Sequence, residues 1–130
     1  MKLNNEIFVN NYINDLNKTI CRIDIKKIIE CKKIILKKIK KKRNIYVCGN
    51  GGSSSVSNHL LCDFSKGIKE SSTNKKLKPR VISFSSNTDL LTAISNDISY
   101  DKIFSYQLEN FASIGDLLII FSCSGNSKNI

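Results

Sequence analysis

Residues 45–66 read IYVCGNGGSSSVSNHLLCDFSK, and this stretch decides the fold. Ile45-Tyr46-Val47-Cys48 is a β-branched and aromatic run closed by a glycine, the pattern of a buried strand. Gly49-Asn50-Gly51-Gly52 turns the chain, three serines follow, and Val56, Leu60, Leu61 and Phe64 then recur at helical spacing. Strand, glycine turn, serines and helix start together make an anion cradle. Glycine lets backbone N–H groups approach a ligand, the first helical N–H groups have no intrahelical acceptor, and the helix dipole favours negative charge. His59, Cys62 and Asp63 lie further along that helix, spaced so that they share one face. A His and an Asp at i and i+4 can share a divalent metal or flank one substrate carbon.

Taken alone, a glycine turn of this kind also serves as a plain strand-to-helix connection, and a single His or Cys is more often structural. The turn is not the dinucleotide fingerprint, because Ser54 stands where that pattern has its third glycine. Nor is it a P-loop, since no Gly-Lys-Ser/Thr follows.

Outward from this unit, Phe8, Tyr12, Ile13, Leu16 and Ile20 predict an amphipathic helix over about residues 4–20. Asp24 caps a second helix with Ile25, Ile28, Ile29, Ile35, Leu36 and Ile39 on its apolar face. Two long helices ahead of the first strand need a surface to cover, either the sheet or another subunit. Residues 69–79 (KESSTNKKLKP) are polar and aperiodic and read as a mobile loop. Residues 80–84 (RVISF) form a second strand, and Ser85-Ser86-Asn87-Thr88-Asp89 caps a helix carrying Leu90, Leu91 and Ile94. Asn96-Asp97 breaks that helix; Ile103, Tyr106, Gln107, Asn110 and Phe111 share another, which ends near Gly115. Leu117–Phe121 (LLIIF) is apolar on both faces, which predicts a central parallel strand.

That strand runs into Ser122-Cys123-Ser124-Gly125-Asn126-Ser127, a second serine-rich junction that reads as the start of a helix. Parallel strands bring their C-terminal ends to one sheet edge, so both serine turns should face one crevice. A phosphate held by hydroxyls and backbone amides suits such a place.

The chain has 130 residues, 41% of them apolar and 25% charged, which fits one globular domain with a core. Five cysteines without a C-x-x-C pair predict reduced thiols in the cytoplasm. The N-terminus lacks the apolar core of a signal peptide, and the longest apolar run is too short to cross a bilayer. The net charge is +10, and ten Lys or Arg fall within residues 26–43. That segment has no interleaved aromatics and keeps a helical isoleucine period, which argues against a nucleic-acid surface.

CGNGGSSSVSNHLLCDF, LLTAISND and SCSGNS, in this order, resemble the sugar isomerase (SIS) domain family, and within it the phosphoheptose isomerases. The resemblance implies a flavodoxin-like α/β/α sandwich on a parallel sheet. On this reading residues 1–43 are N-terminal helices and residues 44–130 the first part of one SIS domain. It implies a homotetramer joined through the N-terminal helices and isomerisation of sedoheptulose 7-phosphate to D-glycero-D-manno-heptose 7-phosphate for surface polysaccharide. Ser53, Ser122, Ser124 and Ser127 would hold the phosphate, and Asn50, Gly51, Gly52, Asn96, Asp97 and Cys123 would line the sugar. His59 and Asp63 would bind zinc, with Asp63 also touching the substrate and transferring its proton.

The chain differs from that family at three places. Asp63 is one methylene shorter than the family's Glu, Cys123 replaces a Thr, and Lys66-Gly67 stands near a usual Gly-Arg. The family also continues past the equivalent of Ile130 with further strands and a helix whose Gln and His complete the metal site. The sequence therefore reads as a fragment or a truncated product with an incomplete sheet. A non-catalytic SIS module, binding a sugar phosphate or regulating replication initiation, is the alternative from another functional class.

Overall fold

The computed structural model describes residues 4–71 and 76–130, and residues 72–75 of the 69–79 loop expectation lie outside them. The chain forms two compact units, residues 1–33 and 34–130. The first contains α1 (Asn5–Cys21), started by an Asn4 side chain that accepts from the Glu6 N–H at 3.2 Å. It also contains the beginning of α2 (Ile25–Lys40), where Asp24 Oδ1 accepts from Lys26 N at 2.9 Å, the cap read from the sequence. No residue of α1 is buried. Among the described residues no helix is long and apolar enough to cross a membrane.

The second unit is built on β1 (Asn44–Gly49), whose side chains alternate between two cores. Ile45 and Val47 join Ile39 and Val81 on one face, against Leu60 and Leu61 of α3 (Gly52–Cys62). Tyr46 and Cys48 point to the other, with Phe84, with Ile94 of α5 (Thr88–Asp97), and with Leu108 of α6 (Ser105–Phe111). Tyr46 stacks on Phe84 with ring centroids 4.8 Å apart, and its hydroxyl donates to the Phe111 carbonyl. Helices therefore cover both faces of the sheet, giving the three-layer α/β/α arrangement expected from the sequence. Ile45 and Val47 are fully buried, and each stabilises the fold by about 1.5–3 kcal/mol relative to exposure.

The sheet is parallel, with β1 between β2 (Arg80–Ser83) and β3 (Leu117–Phe121). The expectation of a central third strand is corrected: among the described residues β3 has one neighbour. Its double-sided apolar run has a different cause. Leu117 and Ile119 pack into one core and Leu118 into the other, so side chains of β3 reach both cores although one edge is open and Ile120 stays exposed. Apolar content reports covered faces and says nothing of hydrogen-bonded neighbours.

Three smaller differences also have local causes. Past α3 the chain makes a π-helical turn (Asp63–Gly67) and a short α4 (Ile68–Glu70), so the helix runs into the expected loop. α6 begins only at Ser105, because a 3-10 turn at Tyr100–Lys102 precedes it; Ile103 is buried ahead of the helix. No helix starts among residues 122–130, where hydroxyl groups take up loop N–H groups instead.

Asp116 fixes the starts of β1 and β3 together. Its carboxylate accepts from Asn44 N at 2.9 Å and Ser113 N at 3.0 Å, while Lys38 Nζ reaches the Gly115 carbonyl at 2.7 Å. Burial alone would raise the Asp116 pKa, but these N–H donors and the nearby Arg43 charge outweigh it and lower the value. A lowered folded-state value means stability that is present above the unfolded pKa and lost as pH falls through the folded one.

At the other end of β1, Gly49 allows helix and strand to meet. A Cβ there would lie 2.7 Å from the Ser53 carbonyl oxygen and 2.8 Å from Ser53 Cβ. We expect Gly49→Ala to destabilise the chain by about 1–3 kcal/mol in urea denaturation, since the backbone must shift to admit a methyl group. An unchanged midpoint would show that the turn does not depend on this approach.

Candidate functional site

Strand order sets the position of the site. From β1 the chain goes to β2 on one side and later to β3 on the other, so the order reverses between β1 and β3. In open α/β sheets ligands bind at such a reversal, outside the C-terminal ends of the strands. The register pairs Gly49 with Phe121, so the turns after β1 and β3 leave the sheet side by side.

Between them lies an open cavity of about 340 Å³, lined by Asn50, Gly52, Ser53 and Val56 from the first turn. The second turn contributes Phe121, Ser122, Cys123, Ser124 and Ser127. Seven of the sequence-predicted residues thus meet in one place: Asn50, Gly52, Ser53, Ser122, Cys123, Ser124 and Ser127. Ser53 Oγ and Cys123 Sγ approach across the cavity to 3.9 Å.

The second turn is shaped by its own hydroxyls. Ser122 Oγ accepts from Gly125 N at 3.0 Å, and Ser124 Oγ accepts from Asn126 N at 3.2 Å. Gly125 takes φ +66°, a left-handed conformation that glycine adopts without steric cost. Because both oxygens accept from the loop, their O–H protons remain available to donate to an anion. Among the described residues the lining includes no Lys or Arg, so recognition of an anion by them rests on neutral donors, aided by the overall positive charge.

A second cavity of about 250 Å³ adjoins the first across Asn50 and is lined partly by Gly51, Ser54, Ser85, Thr92, Ser95 and Tyr100. The predicted site residues Asn96 and Asp97 line neither cavity. They are exposed at the end of α5, where Asn96 Nδ2 donates to Asp97 Oδ1 at 2.8 Å.

His59 and Asp63 are brought together, with Nε2 and Oδ2 3.5 Å apart and both side chains exposed. A tetrahedral zinc with bonds near 2.0–2.1 Å spaces neighbouring ligand atoms by roughly 3.3 Å, so the pair fits one edge of such a site. Among the described residues no group of three or more His, Cys, Asp and Glu is placed to hold a metal. All five cysteines are free. Cys48 is buried, and burial pushes its thiol pKa up to about 11, whereas Cys123 is exposed at the cavity.

Sequence reading missed Asn129 and Tyr100. Asn129 exchanges two amide hydrogen bonds with Asn50, and the Tyr100 hydroxyl donates to Asn50 Oδ1 at 3.3 Å. No local pattern links positions so far apart, and Asn129 lies past the recognisable serine motif.

The pattern of the SIS domain matches residues 10–130. The chain belongs to the SIS domain family. It is 40% identical over 97 residues to a phosphoheptose isomerase of Clostridium acetobutylicum, an alignment covering 75% of this chain and 47% of that protein. The structure of phosphoheptose isomerase GmhA from Neisseria gonorrhoeae superimposes with a TM-score of 0.77 at 27% identity, over 96% of this chain and 64% of that one. A phosphoheptose isomerase from Francisella tularensis shares the fold, with a TM-score of 0.82 at 21% identity, over 98% of this chain and 66% of that one. The chain thus spans about half the length of the C. acetobutylicum relative.

Proposed function

We propose that this SIS domain is part of a phosphoheptose isomerase that converts sedoheptulose 7-phosphate to D-glycero-D-manno-heptose 7-phosphate for surface polysaccharide synthesis. The observation that carries the reading is the hydroxyl-lined cavity between two serine turns at the β1/β3 reversal. Its support from known proteins is the likeness to phosphoheptose isomerases in sequence and in fold.

In this reading Ser53, Ser122, Ser124 and Ser127 donate to the phosphate oxygens. Asn50, Gly51, Gly52 and Cys123 lie along the sugar chain, and we assign Asn96 and Asp97 to its outermost hydroxyls. The reaction moves a hydrogen between neighbouring carbons. The Asp63 carboxylate takes a proton from C1 of the ketose, the C1–H electron pair forms the C1=C2 bond of an enediol, and the C2=O pair moves onto the ketone oxygen, which takes a proton from water. The C1 hydroxyl then gives its proton to water as C1=O forms, and the C1=C2 pair takes the proton held by Asp63 at C2, leaving the aldose with the same atoms as the ketose and Asp63 a carboxylate again. We assign His59 and Asp63 as two of the four ligands of a zinc ion. When bound, zinc would polarise the sugar oxygens and lower the cost of negative charge on them.

Asp63→Asn is expected to abolish interconversion of the two heptose phosphates, a fall of at least about a thousandfold, because the amide cannot accept the proton. Sugar-phosphate binding should persist in calorimetry. Unchanged turnover in this variant would remove Asp63 from the mechanism. Because the described metal donors number only two at this place, binding without turnover by the unmodified protein would favour the non-catalytic SIS module.

The same reading makes the protein a cytoplasmic homo-oligomer. Cytoplasm keeps its five thiols reduced. The apolar stripe of α1, including Phe8, Ile13, Leu16 and Ile20, is about half exposed in the single chain, and an equivalent stripe on another copy would cover it. Sedimentation should show a tetramer that an Ile13→Glu, Leu16→Glu double variant dissociates. A monomeric unmodified protein at micromolar concentration would contradict this.

A further inference from the structure

Asn50 stands on the wall shared by the two cavities, and its side-chain amide is almost fully committed. Nδ2 donates to Asn129 Oδ1 at 2.8 Å. Oδ1 accepts from Asn129 Nδ2 at 3.0 Å and from the Tyr100 hydroxyl at 3.3 Å. An amide oxygen has two lone pairs and an amide nitrogen two protons. Both lone pairs of Asn50 are therefore occupied, and one N–H is left without a partner among the described residues. Flipping the Asn50 amide would set oxygen against oxygen and nitrogen against nitrogen in the pair. Turning both amides together restores the pair, so the two orientations are tied to each other.

Asn129 is only 7% exposed, so losing the pair would strand a buried amide. It also closes the segment that follows the second serine turn, whose Ile130 N–H donates to Ser127 O at 3.0 Å. One buried side chain thus joins the loop after β3 to the first residue after β1.

We infer that Asn129 is a positioning residue: its reciprocal amide pair holds the Asn50 side chain in place so that the remaining polar position of its amide meets an oxygen of the sugar. The inference rests on the sugar-phosphate reading of the cavity. It adds that the sugar presents a hydroxyl, which can donate or accept, to the Asn50 amide. Tyr100 supports the same orientation from the side of the second cavity.

The test uses the full chain labelled with ¹⁵N, titrated with sedoheptulose 7-phosphate and separately with inorganic phosphate. In the unmodified chain the Asn50 and Asn129 side-chain amides should exchange slowly, and the free Asn50 proton should shift on adding the sugar phosphate. Asn129→Ala should move the Asn50 amide signals to solvent-like positions. It should weaken sugar-phosphate binding about tenfold, the value of one lost hydrogen bond. Inorganic phosphate, which lacks the sugar oxygens, should bind this variant within about twofold of the unmodified chain, a difference within measurement scatter on the affinity scale. A merely structural Asn129 would weaken both ligands alike, and that result, or unchanged sugar-phosphate affinity, overturns the inference. Should Asn129→Ala unfold the chain, Tyr100→Phe tests the same lock, because Tyr100 is an exposed residue. It should shift the Asn50 signals and weaken the sugar phosphate about threefold, the effect of one weak neutral hydrogen bond. Unchanged signals and affinity would overturn the inference there too. Failure of the unmodified chain to bind either ligand overturns the sugar-phosphate reading itself, and the positioning role with it.

Discussion

The structure depends on the parallel pairing of β1 with β3, in register so that Gly49 lies opposite Phe121. That one alignment makes two distant, serine-bearing turns leave the sheet at the same level and on the same edge. A slip of one residue would send the alternating side chains of β3 to the wrong cores, so the register is held by the packing of Leu117, Leu118 and Ile119. Asp116 and Lys38 hold the opposite ends of the same strands. The cavity is thus a consequence of sheet packing, and its walls gain their order from a core that never touches a ligand.

The division of labour within the site follows from the elements that carry it. Neutral hydroxyl and amide donors sit on turns fixed by glycine geometry, where the first turn of α3 and the loop after β3 converge. His59 sits further along α3 and Asp63 at the start of the π-helical turn that continues it, both exposed and one helical turn apart. An anion grip needs many donors at fixed spacing, whereas proton transfer needs a carboxylate in reach of a carbon, and one helix leads from one to the other. Among the described residues β3 is paired with β1 alone.

Much of this was legible in the sequence because it is local. The β-branched run of β1, the glycine turn, the Asn87 and Asp24 caps and the two serine motifs each declare themselves within a few residues. The convergence of the two turns could be inferred because parallel strands share a C-terminal edge. What could not be read was non-local. LLIIF is apolar because its side chains pack into both cores, and that pattern is the same for an edge strand and a central one. Gly49 reads in the sequence as part of a turn that admits a ligand, while in the structure it lets the Ser53 backbone come close. The Asn50–Asn129 pair joins positions with no shared motif, and only packing brings them together.

The central claim is that both turns grip one and the same anionic group. A titration of the ¹⁵N-labelled chain with sedoheptulose 7-phosphate, followed at the backbone amides of residues 50–54 and 122–127, tests it most directly. The account predicts that both sets of amides shift along a single saturation curve with one affinity. Shifts confined to one turn, or two curves with separate affinities, would contradict it.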